Sequence, residues 1–181
     1  ENGFIVTEVD IAKMNVNNLI SLKADVCFNA LHGNNGENGS IQGLLNLLKI
    51  PYTHSGVAAS AISMNKIYFK RLIVNTTEST DDPIIFPRTL QINEGEKLSI
   101  KNYKGLYVLK PTNGGSSVGV KIVKGQNSIP LKKEFKCKNL MAEEFVGSVE
   151  LTVTVLKDKP LCVTEIKAAQ NEEFYNYRAK Y

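Results

Sequence analysis

The 181-residue sequence contains no tryptophan, and its 22 lysines and arginines are dispersed rather than grouped in runs. It therefore lacks the arginine-rich stripe with interleaved aromatic residues that is typical of a nucleic-acid groove. The 18 acidic residues leave a net charge of +4, which many soluble proteins carry without binding nucleic acid. We expect no nucleic-acid partner.

Cysteines are also scarce: the three that are present, Cys27, Cys137 and Cys162, lie far apart and include no CxxC pair. This odd number of widely spaced thiols argues against a disulfide framework and a cysteine-ligated metal, and it favours a reducing, cytoplasmic setting. Because Cys27 and Cys162 each lie in an apolar run, we expect both to be buried and chemically inert.

Long apolar segments are absent as well. The apolar runs end after a few residues, well short of the roughly 18 that a membrane-spanning helix requires, and no basic-then-apolar leader opens the chain. We therefore expect a soluble protein with no membrane partner. Residues 4–6 resemble a strand that is already under way, and the first residue is Glu1. We expect the natural protein to begin earlier.

The first half of the chain alternates between strand and helix patterns. An apolar run at 24–31 predicts a short buried strand, and residues 41–48 have helical spacing behind Ser40, a candidate helix cap. Residues 52–53 can form a second strand, and 57–75 predict one helix because this run has no internal glycine or proline. The β–α–β–α order predicts a parallel α/β domain.

A polar stretch, TTESTDDP, predicts a boundary near residues 75–82, between an α/β domain at 1–75 and a second domain at 76–181. The second domain is predicted to be β-rich and antiparallel, with Lys157 to Pro160 forming a hairpin turn. Its patterns indicate a helix near 131–135 and strands at 105–111, 118–125, 139–146, 151–156 and 161–166. We therefore expect an α/β fold followed by an α+β fold.

The segment KPTNGGSSVGV at 110–120 carries the most chemical information. It places a glycine-rich loop between two strands, unlike the Walker and Rossmann motifs, which precede a helix. Gly114 and Gly115 allow the loop to close over phosphate with its N–H groups directed inward, and Ser116 and Ser117 add hydroxyl donors. The spacing is equally compatible with an ordinary flexible hairpin.

Charged residues near predicted strand ends add to this pattern. Lys110 ends a strand and Lys180 closes an aromatic run, so each can place a positive charge near polyphosphate, as can Lys66. Glu143 and Glu150 can accept hydrogen bonds from the amino or hydroxyl groups of a nucleotide. Solvated surface charges would show the same sequence pattern.

Four segments resemble, in the same order, the D-alanine–D-alanine ligase family of the ATP-grasp superfamily. They are residues 29–66, 109–120, 141–153 and 164–181, and the resemblance is weakest at 75–104. Four separated motifs in the family's order are far more specific than any one of them. The resemblance implies an N-terminal α/β domain followed by an ATP-grasp module, in which two α+β parts hold ATP between them.

The resemblance also implies roles for individual residues. For ATP, it implies a contact from Lys66, and phosphate contacts from Lys110, Lys180 and the mobile phosphate loop Gly114 to Gly119. It also implies that Glu143 contacts adenine, with Phe145 and Val146 beside it, and that Glu150 contacts the ribose. For D-alanine, it implies His32 near the first substrate, and Ser116 hydrogen-bonded to Tyr181 in the substrate region. Ser116, Tyr181 and Lys180 are the catalytic candidates, and Ser116 would orient the substrate without acting as a nucleophile.

The activity that the resemblance implies is the ATP-dependent joining of two D-alanines, through an acylphosphate, for peptidoglycan synthesis. ATP with Mg²⁺ or Mn²⁺ and a homodimeric assembly belong to this expectation. The family's catalytic arginine and metal ligands have no counterpart here, so we expect them beyond Tyr181 and expect residues 1–181 alone to be inactive. The alternatives are another ATP-grasp ligase, such as one that makes D-alanyl-D-lactate or a biotin-carboxylase-like relative, and a non-catalytic nucleotide-binding module.

Overall fold

The computed structural model describes residues 3–13, 15–92, 105–124, 139–147 and 149–167. Its contacts divide the chain into two compact units, Glu1–Ala61 and Ile62–Tyr181. The described helices are α1 (Val16–Ser21), α2 (Asn34–Glu37), α3 (Ser40–Leu47), α4 (Val57–Met64) and α5 (Lys66–Thr77). The described strands are β1 (Thr89–Ile92), β2 (Leu106–Pro111), β3 (Lys121–Lys124), β4 (Leu140–Glu144), β5 (Glu150–Leu156) and β6 (Lys159–Ile166).

This mixture of helix and sheet confirms the predicted fold class. The division of contacts after Ala61 lies before the boundary expected near 75–82, which stays a prediction. The helix expected near 131–135 lies outside the described residues, as does Cys137. None of the helices in the described ranges is long and apolar enough to cross a membrane.

Helix α3 lies beside α2 in the first unit and buries Ile41 and Leu45. The expected Ser40 cap is wrong, because Ser40 is the first helical residue and Gly39 precedes it with a φ of 94°. A Cβ atom at position 39 would lie 2.8 Å from the carbonyl oxygen of Val57. Glycine is therefore required here by backbone conformation and by the close approach of α4.

Replacing Gly39 with alanine should destabilise the protein by about 1–3 kcal/mol, because alanine is strained at positive φ and its methyl group would collide with backbone. Gly56→Ala is the matched control, since a Cβ there meets nothing within 4 Å. The measurement is urea-induced unfolding of the full-length protein. Equal midpoints for the two variants would contradict the prediction.

The strand expected at 24–31 is reduced to one parallel bridge between Cys27 and Tyr52. The amide of Cys27 donates to Pro51 O at 2.8 Å, and the amide of Thr53 donates to Cys27 O at 3.2 Å. The parallel direction is as predicted, but burial of the whole run is wrong, since the Phe28 side chain is 80% exposed. A buried parallel strand needs neighbours on both edges and cover on both faces, and in the described chain only residues 51–53 pair with this run.

Cys27 is half-buried, and this burial raises the pKa of its thiol, which favours the unreactive protonated form. No regular secondary structure forms at residues 4–6, where the sequence predicted a strand, and Ile5 is exposed. A short apolar run becomes a strand only when a neighbouring strand supplies hydrogen bonds.

The single helix expected at 57–75 is broken at Asn65, and the second piece continues to Thr77. Asn65 leaves the helical conformation, with a φ of −95° and a ψ of 104°, and its side-chain oxygen accepts from the amides of Ile67 and Tyr68. Asparagine is a strong N-cap residue because it satisfies these otherwise unpaired amides. The break lets Lys66 begin a new helix, α5.

The second unit contains an antiparallel sheet in the order β1-β4-β2-β3. One face carries the hydrophobic core of Ile92, Tyr107, Leu109, Val123, Leu140 and Ala142. The antiparallel, β-rich prediction for this half is confirmed. Strand β1 was missed, and β3 is shorter than the predicted strand at 118–125.

Strands β5 and β6 form a separate hairpin. The turn lies at Lys157 and Asp158 as predicted, and both residues have positive φ, 49° and 62°, which suits the twist of a tight hairpin. Pro160 is already part of β6. Cys162 is exposed on this hairpin, so its predicted burial is wrong. Its apolar neighbours in sequence belong to strands whose side chains are almost all exposed among the described residues.

Candidate functional site

A buried carboxylate lies between two lysines in the second unit. Glu143 of β4 contacts the ammonium of Lys70 through Oε1 and the ammonium of Lys110 through Oε2. The side chain of Glu143 is only 7% exposed, compared with 16% for Lys70 and 23% for Lys110. Ion pairs that are this well buried are screened much less by solvent than surface pairs.

The sheet and α5 together bring these groups to one place. Side chains alternate between the two faces of a strand, so Lys110 and Glu143 lie on the face opposite the core residues Leu109 and Ala142. Lys66 and Lys70 are four residues apart on α5 and therefore share one side of that helix. The side of α5 that carries these lysines thus contacts the sheet on the face that holds Lys110 and Glu143.

Lys70 is held by more than its ion pair. Its ammonium donates to Thr89 Oγ1 at 2.9 Å and lies 5.4 Å from the centre of the Phe86 ring. The Phe86 ring in turn packs edge-on against Phe69, with ring centres 6.3 Å apart. Thr89 is directly opposite Glu143 in the β1–β4 register. Strands β1 and β4, together with Phe86 in the segment before β1, thus define the position of the Lys70 ammonium.

Lys66 connects α5 to the glycine-rich loop. Its ammonium donates to the carbonyl oxygens of Pro111 at 3.2 Å and Gly114 at 2.7 Å, and its amide donates to Thr112 O at 3.0 Å. Asn65 and Asn113 add an antiparallel bridge beside these contacts. The break in the predicted helix is therefore what allows Lys66 to reach the start of the loop.

The loop between β2 and β3 has an unusual backbone. Gly114 and Gly119 have φ values of 102° and 72°, and Ser116 and Ser117 have φ values of 50° and 57°. Positive φ is costly for serine, and such strain concentrates at functional sites. Gly114 is required by its positive φ, whereas a Cβ at Gly114 or Gly115 would meet nothing within 4 Å, so neither glycine is required by packing. The loop geometry supports the phosphate interpretation more than the ordinary hairpin.

Lys66, Lys70 and Lys110 bring three positive charges to this region, and the Glu143 carboxylate pairs with Lys70 and Lys110. Burial lowers the pKa of Lys66, and burial together with the charge of Lys66 lowers the pKa of Lys110. Burial and the charge of Lys110 lower the pKa of Lys70 to about 8. Burial is the largest cause of all three pKa shifts, and repulsion from a neighbouring ammonium group adds to it for Lys110 and Lys70. An anionic ligand would relieve this excess of positive charge.

Lys70 should make the stability of the protein rise with pH between about 8 and 10.5. Its pKa is about 8 in the folded protein and near its usual 10.5 when the chain unfolds. In this range unfolding takes up a proton, so the free energy of unfolding increases with pH. Urea unfolding at about pH 7.5 and 9.5 should show that the free energy of unfolding increases more with pH in the wild type than in Lys70→Met. Equal gains in the two proteins would contradict the lowered pKa of Lys70. The pKa values of Lys66 and Lys110 are lowered as well, so the free energy of unfolding of the variant can still rise with pH.

The other predicted site residues are more scattered. Phe145 is half-buried and donates its amide to Leu106 O at 3.1 Å, whereas Val146 is 69% exposed and Glu150 is exposed at the start of β5. His32 is exposed in the first unit. Lys180 and Tyr181 lie outside the described residues, so their roles stay predictions.

Sequence reasoning missed Lys70 and Thr89. The spacing of Lys66 and Lys70 on one helix was the available signal for the first residue, but four-residue spacing is common among surface lysines. No sequence pattern marks Thr89, whose position depends on the pairing of β1 with β4.

His54, which the sequence pattern did not single out, has a clear structural role in the first unit. Its Nδ1 atom lies 2.8 Å from the side-chain nitrogen of Asn29 and 3.1 Å from that of Gln42. Both amide groups also donate to the carbonyl oxygen of Gly36. This polar cluster, in which Asn29 and Gln42 are buried, ties Gly36 of α2 to α3.

A strand–glycine-loop–strand unit beside a lysine-rich helix, on an antiparallel sheet, defines a protein of the ATP-grasp class. The chain has the fold of the D-alanine–D-alanine ligase from Bacillus anthracis, with a TM-score of 0.73 and 31% identity over 93% of this chain and 55% of that one. A structure of the Bacillus anthracis enzyme complexed with ATP matches with a TM-score of 0.69 and 26% identity, over 86% and 52% of the two chains.

The chain belongs to the D-alanine–D-alanine ligase family. Residues 7–55 match the family model for the D-ala D-ala ligase N-terminus, and residues 91–181 match the model for the C-terminus. The D-alanine–D-alanine ligase of Xanthobacter autotrophicus is 41% identical over 99% of this chain and 58% of its own length. The chain thus spans little more than half the length of the curated relatives it matches. The family resemblance predicted from the four motifs is confirmed.

Proposed function

We propose that the protein containing this chain joins two D-alanines to D-alanyl-D-alanine at the expense of ATP, for peptidoglycan synthesis. The observation that carries the proposal is the convergence of Lys66, Lys110 and the strained glycine-rich loop, which creates a positively charged site for polyphosphate in a chain of this family. D-alanine and ATP are then its substrates, the cytoplasm its location and a homodimer its assembly. No feature of the described residues favours the alternative activities.

The proposed nucleotide site uses the C-terminal end of strand β4 and its neighbours. Lys66 and Lys110, with the amides of the loop and with Lys180, neutralise the phosphates. Glu143 accepts from the amino group of adenine, with Phe145 and Val146 beside the base, and Glu150 accepts from the ribose hydroxyls. Phe145 offers an aromatic face suited to a purine. The match to an ATP-complexed ligase supports this arrangement.

The proposed reaction has two steps. The carboxylate of the first D-alanine attacks the γ-phosphorus of ATP, so that an acylphosphate forms and ADP leaves. The amine of the second D-alanine attacks the acyl carbon, loses a proton, and inorganic phosphate leaves. Lys110, Lys180 and the loop amides stabilise the negative charge that develops in both steps, so catalysis rests on positioning and electrostatics.

Binding of D-alanine falls to residues outside the lysine cluster. His32 is proposed near the first D-alanine, and Ser116 with Tyr181 orients the substrate region. The described residues contain no group of three or more histidine, cysteine, aspartate or glutamate side chains that could hold a metal ion. Mg²⁺ or Mn²⁺ remains part of the proposal as the ion that accompanies ATP, and no step above is assigned to it.

The test is phosphate release by the full-length protein with ATP and D-alanine, followed by mass spectrometry of the product. We expect release that depends on D-alanine and yields D-alanyl-D-alanine, with L-alanine as the matched inactive substrate. A preference for D-lactate as the second substrate would replace the proposal with the depsipeptide ligase. ATP binding without D-alanine-dependent turnover would indicate the non-catalytic nucleotide-binding module.

A further inference from the structure

The two lysines that contact Glu143 are held very differently. Lys70 has three kinds of contact: the Oε1 atom of Glu143, the hydroxyl of Thr89 and the face of Phe86. Within the described ranges, the Lys110 ammonium contacts the Oε2 atom of Glu143 and no second acceptor. Lys110 is therefore the lysine that is free to exchange its partner, whereas Lys70 is anchored.

The charges explain why an anchored lysine matters. If Lys110 turns from Glu143 to an incoming phosphate, one carboxylate oxygen of a buried residue loses its cation. Leaving a buried carboxylate without a counter-charge is strongly unfavourable. With Lys70 still in contact with Oε1, Glu143 remains paired. Without Lys70, Lys110 would be the only described cation on Glu143, and its release would leave the carboxylate unpaired.

Building on the nucleotide role proposed above, we infer that Lys70 is a positioning residue, which acts as the permanent counter-ion of Glu143 and thereby releases Lys110 to bind the phosphates of the nucleotide. Lys70 itself need not touch the ligand. Its effect passes through Glu143 to Lys110. The function of Lys70 is thus distinct from a direct phosphate contact and from a purely structural one.

Lys70→Met in the full-length protein removes the charge but keeps an unbranched side chain of similar length. We expect the Kd for ATP to rise about tenfold, the effect of losing roughly one charge-assisted contact, since Lys110 stays on Glu143. The Kd for adenosine, which has no phosphate, should rise by a smaller factor than the Kd for ATP, because Lys70→Met affects adenosine only through Glu143 at the base and not through Lys110 at the phosphates. Lys70→Arg, which retains the charge, should restore ATP binding to within about threefold of the wild type.

The double variant tests whether Lys70 acts through Lys110. If it does, Lys70→Met should cost little additional ATP affinity in a Lys110→Met background, because the group that it releases is already gone. Equal losses of ATP and adenosine affinity would indicate a structural role and overturn the inference. Failure of Lys70→Arg to bind better than Lys70→Met would also overturn it. Should Lys70→Met not fold, Lys70→Gln provides the same comparison.

This experiment separates the inference from the proposed function. Wild-type ATP binding with no D-alanyl-D-alanine product would contradict the proposed function and leave the Lys70 comparison intact. Wild-type turnover with unchanged ATP affinity in Lys70→Met would confirm the function and refute the role of Lys70.

Discussion

Glu143→Gln should destabilise the full-length protein by about 3 kcal/mol, the largest stability effect of any single change at the site. The substitution removes the carboxylate that contacts both Lys70 and Lys110 and leaves their half-buried ammonium groups without a counter-charge. An amide oxygen can accept a hydrogen bond from one of them but carries no charge. Urea unfolding at neutral pH measures the loss.

Glu144→Gln provides the control, because Glu144 is the next residue on β4 and its side chain is exposed. Removing this charge should change stability by less than about 0.5 kcal/mol, as is usual for exposed charges. If both variants lose equal stability, the buried ion-pair cluster is not a significant source of folding energy.

Lys110→Ala should weaken ATP binding by about 1–3 kcal/mol, the range for loss of a charge-assisted hydrogen bond. The fold should survive this change better than Glu143→Gln, because Lys70 remains on Glu143 as its counter-ion. Titration calorimetry measures the difference in ATP affinity between the wild type and Lys110→Ala. Lys159→Ala, which removes an exposed lysine from strand β6, has the same net charge as Lys110→Ala and should bind ATP as the wild type does.

Unchanged ATP affinity in Lys110→Ala would remove the central assignment of the proposed nucleotide site. A loss of the same size in Lys159→Ala would instead indicate a long-range effect of net charge. Repeating both titrations at higher salt distinguishes these cases, because exposed charges are screened within about 10 Å at moderate ionic strength.

Local pattern was sufficient for part of the fold and the site. The helix at α3, the antiparallel strands around Lys110 and the hairpin turn at Lys157 follow from periodicity and turn residues over a few positions. The glycine-rich loop was recognisable for the same reason, since adjacent glycines and serines between two strands form a short, continuous signal. Such features depend on neighbours in sequence.

Helix breaks and strand boundaries were less predictable. Asn65 is compatible with a helix interior by propensity alone, yet its cap contacts and its bridge to Asn113 end α4 and start α5. The run at 24–31 has a strand-like composition, but its pairing is limited to one bridge within the described chain. In both cases a partner that is distant in sequence decided the local conformation, which propensity cannot anticipate.

The sequence by itself determined which chemical groups this protein has available: a lysine at a strand end, glycines in the following loop, and a glutamate near the end of another strand. Only the tertiary structure decided that Lys70 and Thr89 join them around Glu143. That outcome depends on the register of β1 with β4 and on the side that α5 turns toward the sheet. Both are fixed by burial and hydrogen bonding between segments far apart in the chain, so no short stretch of sequence encodes them alone.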